Sequence, residues 1–195
     1  MKLTASLVLA AFAAGAAITY ARQETQEASA PSPEMLARMA PGPMHAKLEP
    51  LIGKWTVTGK FRMTPDAAWE DFGGTMTRDW IMDGRFVREE VESEWMGQPF
   101  HGLGILGYDN VREEFTTVWI ENMSTGTMTS AGTMGADGAI TYEGVNSNCM
   151  TGEKKCWSKS RLVFKSPTEH VYTSYSKDDS GKEFQSGEIV ATKVP

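Results

Sequence analysis

The chain has 195 residues, 41% of them hydrophobic, and a formal net charge of −6 at pH 7. A domain of this length can bury a sizeable core, and the ordinary composition excludes a fibrous or fully disordered protein. The acidic balance, without a lysine or arginine cluster, argues against nucleic acid or an anionic membrane as the partner.

The first 21 residues have the pattern of a secretory signal peptide. Lys2 precedes a mostly apolar run from Leu3 to Ile18, and the small residues Thr19 and Ala21 follow. This run is shorter than the roughly 20 residues that a membrane-spanning helix needs. We therefore expect a periplasmic or secreted protein with no integral membrane span. Cleavage after Ala21 removes Lys2 and changes the formal charge from −6 to −7.

Residues 22–43 are polar, rich in proline and aperiodic, which predicts a disordered tether. A short helix is predicted from Met44 to Leu51, at the start of the predicted domain, residues 44–195. Beyond the helix, apolar and polar residues alternate in short runs that Gly, Asp, Asn and Pro separate, which predicts strands. The ten predicted strands are Lys54–Met63, Gly73–Met82, Arg85–Trp95, Phe100–Tyr108, Glu114–Glu121, Gly126–Met134, Ala139–Asn146, Cys156–Phe164, Glu169–Ser176 and Glu183–Lys193.

Short turns such as Asp83-Gly84 and Asp137-Gly138 separate most of these strands. Links of this length join antiparallel neighbours, because a parallel crossover needs a dozen or more residues. A ten-stranded meander has two unpaired edges unless it closes into a barrel. We therefore predict an all-β fold, an antiparallel meander closed into a barrel of about ten strands, preceded by a short helix.

The segment TRDWIMDGRFVREE, residues 77–90, mirrors its charges about Asp83-Gly84. If these two residues form a type I′ turn, Arg78 lies opposite Glu89. Large apolar side chains share the face of that pair and mark it as the interior. They are Met76, Trp80, Val87, Val91 and Trp95. Arg78 and Glu89 are therefore predicted to lie inside the barrel.

A buried Arg78–Glu89 pair needs partners, water or a ligand, because removing charges from water costs several kcal/mol per ion. Three interpretations remain open. The pair is a hydrated structural bridge, or it orients the polar end of a ligand in an apolar cavity. In the third, Glu89 is a general acid or base and Arg78 stabilises developing negative charge.

The other candidate ligand-binding residues are Trp80, Trp95, Trp119, His101 and Tyr108. The three tryptophans are predicted to line the interior. His101 shares its strand face with Leu103 and Ile105, which makes it a candidate interior residue. The hydroxyl of Tyr108 either points into the barrel mouth or covers the turn that follows.

A haem would need a histidine ligand, and only His45, His101 and His170 are available. His45 precedes the barrel, and either face of the strand that carries His170 could be the inner one. A lone histidine on an apolar face is more often a core residue than a ligand, and no clustered His/carboxylate spacing suggests a metal. We expect neither cofactor nor metal.

Cys149 and Cys156 flank a six-residue loop rich in turn-forming residues. In an oxidising compartment this spacing predicts a disulfide that pins a hairpin. Closing so short a loop stabilises the fold by roughly 2.5 kcal/mol. No histidine or second cysteine pair lies nearby, and the spacing is not Cys-x-x-Cys, so metal and redox roles are disfavoured.

Gly53-Lys54-Trp55, at the entry to the first strand, resembles the Gly-x-Trp motif of lipocalin-like barrels. The segments LEPLIGKW, RDWIMDGRFVREEV, MGQPFHGLGILGYDN and MSTGTMTSAGT together resemble the bacterial family labelled domain of unknown function 1579, across residues 44–193. The resemblance implies a lipocalin-like, calycin-type barrel. It implies no activity, because the family has no assigned biochemical role, and the hairpin with Cys149 and Cys156 departs from its pattern.

The sequence thus predicts an exported lipocalin-like barrel that binds a small, largely apolar or amphipathic molecule. Arg78 and Glu89 would contact the polar end of that molecule, and the tryptophans would line its apolar part. One alternative is a small lyase or isomerase that uses the interior Glu/Arg pair. The other is an inert envelope protein whose acidic outer strand meets a partner.

Overall fold

The computed structural model describes residues 30–195, so the predicted signal peptide and residues 22–29 of the predicted tether lie outside the described residues. Contacts divide the chain into a unit that ends at Leu36 and a unit from Ala37 to Pro195. Within the described part of the chain, no helix combines the length and apolar character needed to span a bilayer.

A seven-residue helix, α1 (Pro33–Met39), lies inside the segment predicted as a disordered tether. Its start has an evident cause, because the Met35 amide donates to the Ser32 hydroxyl at 3.1 Å and proline occupies the first helical position. The helix has no buried residue. Seven residues are too few to show a helical period among the neighbouring prolines.

The C-terminal end of α1 and the residue after it are hydrogen-bonded to two turns between strands. The side-chain amide of Asn110 donates to the carbonyls of Arg38 and Ala40, at 3.0 and 2.8 Å. Arg85 Nε donates to the carbonyl of Met39 at 3.2 Å. Residues 38–40 are therefore held in place, which the prediction of a disordered tether did not anticipate.

A 3-10 helix (His45–Leu51) precedes the strands, in place of the predicted helix from Met44 to Leu51. Ten strands follow, one for each that the sequence predicts, with ends displaced by a few residues. They are β1 (Gly53–Phe61), β2 (Glu70–Ile81), β3 (Phe86–Trp95), β4 (Gln98–Asp109), β5 (Glu114–Glu121), β6 (Met128–Met134), β7 (Ile140–Asn146), β8 (Cys156–Ser166), β9 (Glu169–Lys177) and β10 (Glu183–Lys193).

Each strand pairs antiparallel with its neighbours in sequence, and β1 also pairs with β10. The pairing of β1 with β10 closes the sheet into a barrel and removes both edges. The predicted fold, an all-β antiparallel meander closed into a ten-stranded barrel with a short N-terminal helix, is confirmed.

The hairpin of β2 and β3 has the predicted register. Arg78 lies opposite Glu89, and Ile81 lies opposite Phe86. Asp83 and Gly84 have φ angles of 55° and 79°, the left-handed values that a type I′ turn requires at both central positions. The mirrored charges of the sequence therefore reflect a tight turn that pairs oppositely charged residues.

Apolar packing closes one end of the barrel. Leu48 and Leu51 of the 3-10 helix are fully buried against inward side chains of the strands, including Val87, Phe115 and Ile140. The indole of Trp55 in β1 donates to the Leu51 carbonyl at 2.8 Å, which ties the helix to the first strand. We call this the closed end.

The opposite end admits water. Inward positions there are only partly buried, although strand alternation turns them toward the barrel axis. Examples are Thr117, Ser130, Ser158 and Ser174. Partly exposed inward side chains indicate that water reaches the interior from this end, and we call this solvent-accessible interior the lumen and its opening the mouth.

Two glycines shape the wall of that lumen. A Cβ atom at Gly102 would overlap the indole of Trp119 on the neighbouring strand, and one at Gly59 would overlap the ring of Phe72. Both rings therefore approach the backbone of an adjacent strand closely, which only a residue without a side chain permits.

We expect Gly102→Ala to lower the free energy of unfolding by about 1–3 kcal/mol, because the added methyl group displaces the Trp119 indole. Urea denaturation followed by tryptophan fluorescence measures both the stability and the ring environment.

The matched control is Gly73→Ala. Its Cβ would meet only the Val57 carbonyl, at an ordinary 3.5 Å. Equal stability of the two variants would contradict the packing of Trp119 over Gly102.

Candidate functional site

A buried ion pair lies between β2 and β3. Arg78 donates from Nε and Nη2 to the same oxygen of Glu89, Oε2. The two side chains are only 8% and 13% exposed, and strand alternation turns both toward the barrel axis. Both bonds use Oε2, and the second carboxylate oxygen, Oε1, accepts no hydrogen bond from a side chain or backbone within residues 30–195.

His170 in β9 is the third member of the cluster. Its Nε2 atom lies 2.6 Å from Nη1 of Arg78. A guanidinium group only donates hydrogen bonds, so Nε2 must accept and the imidazole proton must sit on Nδ1. Burial and, secondarily, the Arg78 charge lower the pKa of His170 to about 3. His170 is therefore a neutral acceptor that completes the surroundings of Arg78.

Two tyrosines adjoin the cluster. Burial raises the pKa of both Tyr142 and Tyr172, so both hydroxyl groups are protonated. The Tyr172 hydroxyl is hydrogen-bonded to Ser160. Among the described residues, the Tyr142 hydroxyl and His170 Nδ1 are buried without a hydrogen-bond partner. Each such group lowers the free energy of unfolding by about 1–3 kcal/mol, so the polar cluster destabilises the fold.

Two of the predicted lining tryptophans face the lumen. Trp119 lies beside Glu89, because a Cβ atom at Gly104 would be 3.3 Å from both side chains. Trp95 stacks on Phe61, with ring centroids 4.1 Å apart and an interplanar angle of 30°. These aromatic faces stand on the wall between the ion pair and the mouth.

Trp80 and Tyr108 also point inward but belong to the closed end. The indole of Trp80 donates to Glu49 of the 3-10 helix at 2.6 Å. Tyr108 packs edge-on against Phe115 and His45, at centroid distances of 5.0 and 5.9 Å. The structure thus separates these two predicted site residues from the lumen side of the ion pair.

The prediction that His101 lies inside is wrong. His101 is exposed on the outer wall, where it pairs with Glu92. The inward face of β4 carries Gly102, Gly104 and Leu106 instead, opposite the inward residues of β3. The aliphatic neighbours of His101 suggested an inner face, whereas the glycines that make room for Trp119 occupy it.

The predicted disulfide is not formed in this structure, where Cys149 and Cys156 are free thiols. The Cys156 thiol donates instead to Glu153 at 2.9 Å. Burial, reinforced by Glu153, raises the pKa of Cys156 to about 11. Across residues 30–195, no group of three or more His, Cys, Asp or Glu side chains is placed to hold a metal ion.

His170 and Tyr142 are site residues that the predicted set omits. In the sequence, both faces of β9 mix polar and aromatic residues, so alternation alone cannot orient His170. Its pairing with Ala191 of β10 turns it inward, and that pairing depends on closure of the barrel. Only the alternation with Tyr172 and Ser174 hints at a polar inner face.

We expect Arg78→Met to lower the free energy of unfolding by about 3 kcal/mol or more, because it leaves the Glu89 carboxylate buried without its partner. Adding Glu89→Leu to this variant should recover most of the loss, since no unpaired charge then remains inside. Urea titration of the single and double variants measures both steps.

Arg88→Met is the matched control, because Arg88 lies outward and its side chain is 44% exposed. Its effect should be within about 0.5 kcal/mol. A silent Arg78→Met change would show that the pair is solvated and would remove the basis of this site.

We expect acid to destabilise the protein through His170. Unfolding restores its ordinary pKa of 6.5, against about 3 in the folded state. Between these values the unfolded chain binds a proton that the folded chain does not, so stability falls as the pH drops through 6.5. From pH 7 to pH 5 this contribution amounts to about 2 kcal/mol. Urea unfolding at both pH values measures it.

His170→Gln supplies the reference, because the glutamine side chain can still accept from Arg78 but does not titrate. The pKa of His45 is also lowered, by burial first and by Arg85 second. His45 is present in both proteins, so the difference between them isolates His170. Equal losses of stability in the two proteins would contradict a neutral, buried His170.

Comparison with known proteins supports the fold and identifies the family. No curated protein matches the chain. The crystal structure of Rv2717c from M. tuberculosis is similar, with a TM-score of 0.56 and 15% identity over 80% of this chain and 100% of that one. The S-type phycobiliprotein lyase CPES from Guillardia theta has a TM-score of 0.57 and 12% identity, over 78% and 93%. Identities this low show the fold alone. The family described as "Protein of unknown function (DUF1579)" matches residues 40–193, so this chain belongs to that family.

Proposed function

We propose that the barrel binds a small amphipathic molecule in its lumen. The polar end of the molecule contacts Glu89 and Arg78, and its apolar part lies against Trp119 and Trp95. One observation carries this proposal: a buried ion pair borders a lumen that is open to solvent at one end.

The chemistry of the cluster supports binding. Arg78 is held by Glu89 and His170, so its donors are positioned before any ligand arrives. A site that is already ordered loses less entropy on binding than a flexible one. The free carboxylate oxygen of Glu89 accepts a hydrogen bond, which favours a ligand that ends in a hydroxyl or amine group.

A lyase or isomerase that uses Glu89 as its acid–base group is less well supported. Both charge-assisted bonds from Arg78 engage one carboxylate oxygen, which commits Glu89 to an ion pair. His170 is buried behind Arg78 with a pKa of about 3, so it is a poor proton carrier near neutral pH. Binding without chemistry uses the same residues and needs neither of them to titrate.

We further propose that the protein works outside the cytoplasm. The leader-like segment from Lys2 to Ala21 supports export. In an oxidising compartment Cys149 and Cys156 can pair, because their short separation along the chain keeps the thiols close. The raised pKa of Cys156 makes that oxidation slow without a catalyst, since the thiolate is the reactive form.

Native mass spectrometry of the protein isolated from its producing cells, without detergent, tests the proposal. We expect extra mass on the folded barrel that is released on denaturation and identifies the ligand. The mass of the denatured protein also shows whether the leader has been removed and whether Cys149 and Cys156 have formed a disulfide, which removes two hydrogen atoms.

The double variant Arg78→Met/Glu89→Leu should lose the extra mass while remaining folded. Glu90→Gln, one residue along β3 on the outer face, should keep it. A ligand that persists in the double variant, or a wild-type protein without added mass, would contradict binding at this cluster.

A further inference from the structure

The lumen has two walls of different chemistry, and on this basis we propose that its ligand is a planar ring system that carries hydroxyl groups along one edge. The inference rests on the proposed binding function and specifies the class of molecule. It follows from which inward residues the ten strands contribute above the ion pair.

One wall is aromatic. The inward positions of β1 to β5 toward the mouth contribute Phe61, Phe72, Trp95, Phe100 and Trp119. Phe61 stacks on Trp95, and the rings of Phe100 and Trp119 lie nearly parallel, at 21° with centroids 6.4 Å apart. All five side chains stand on one half of the barrel.

Gly102 and Gly59 make room for two of these rings. Without a Cβ at these positions, the Trp119 indole and the Phe72 ring reach over the neighbouring strand. Aromatic faces pair with flat groups in offset-stacked arrangements. This wall therefore suits a planar ligand.

The other wall carries hydroxyl groups. The inward positions of β5 to β9 contribute Thr117, Ser130, Ser158, Ser160, Ser174 and Ser176. Thr117 lies directly opposite Ser130, and Ser160 lies directly opposite Ser174. The hydroxyls thus lie in two adjacent groups, on β5 and β6 and on β8 and β9, with Gly144 of β7 between them. We call the two groups together the band.

Glycines keep this band open as well. A Cβ atom at Gly187 would overlap the Ser174 hydroxyl, and one at Gly144 would be 3.1 Å from the Ser130 side chain. No side chain from Gly187 or Gly144 therefore crowds Ser174 or Ser130.

The band has hydrogen-bonding capacity to spare. Thr117 and Ser130 share one bond of 2.9 Å between their hydroxyls. A hydroxyl group offers one donor and two acceptor sites, so this pair retains a donor and several lone pairs. A ligand whose edge carries hydroxyls can satisfy them, while an apolar ligand would leave them without partners. A uniformly apolar molecule is therefore the wrong occupant.

Two probes of the same size and shape separate the alternatives: a naphthalenediol and the dimethylnaphthalene with the same substitution pattern. Quenching of tryptophan fluorescence measures the affinity of each. In an apolar cavity the dimethyl compound binds more tightly, because it sheds no hydration of polar groups. We expect the opposite order here, with the diol about tenfold tighter, which corresponds to one or two added hydrogen bonds.

The triple variant Ser130→Ala/Ser158→Ala/Ser174→Ala should abolish or reverse this preference. Its matched control is Thr129→Ala/Thr173→Ala, which removes hydroxyls from outward positions of two of the same strands and should keep the preference. Urea denaturation verifies that both proteins are folded.

Each outcome decides between the ideas. A diol preference that disappears only in the triple variant supports the inference. Tighter binding of the dimethyl compound, or a diol preference that survives in the triple variant, overturns the hydroxyl wall and leaves the proposed binding function standing. If neither probe quenches the fluorescence, the planar-ring inference fails. Native mass spectrometry of the wild-type protein tests the binding function independently of this result.

Discussion

The guanidinium group of Arg78 imposes the strictest demands on the barrel interior. Buried and always charged, it requires acceptors on every side that water cannot reach. Glu89 supplies the counter-charge from the adjacent strand, and His170 supplies a neutral acceptor from across the barrel. His170 can play this part only when its proton sits on Nδ1, so the charge of one residue fixes the protonation of another. β2, β3 and β9 are thereby tied together at a point that exists only after the sheet has closed.

Alternation along the strands carries this constraint through the molecule. The tight turn at Asp83-Gly84 sets the register of β2 and β3. Paired residues point to the same face of the sheet, so the inner face of each strand determines the inner face of the next. Large inward side chains then gather at the 3-10 helix, where Leu48 and Leu51 complete the packing. At the other end, aromatic rings on one wall face serine, threonine and glycine on the other. The same alternation thus produces a filled half and an open half without any break in the sheet.

Local chemistry explains which features the sequence reveals. The β2–β3 hairpin is predictable because its turn residues, mirrored charges and apolar pairs all lie within one short segment. The sequence prediction assigns His101 to the wrong face because aliphatic side chains on the outer wall resemble a core face. Glycines occupy the actual inner face of β4. The position of His170 depends on β10, which joins the opposite edge of the meander. Contacts made only on closure leave no pattern in either strand alone.

The polar cluster is difficult to explain as a device for stability. Replacing a buried ion pair with well-packed apolar side chains is often neutral or stabilising. Here the pair is accompanied by the unpartnered Tyr142 hydroxyl and His170 Nδ1, which add further cost. The closed end shows that this barrel can fill its interior with apolar side chains where no opening is needed. Polar groups that are ordered in advance at the inner limit of the lumen lower the entropic cost of ordering a ligand, so the proposed binding function accounts for the stability that they cost.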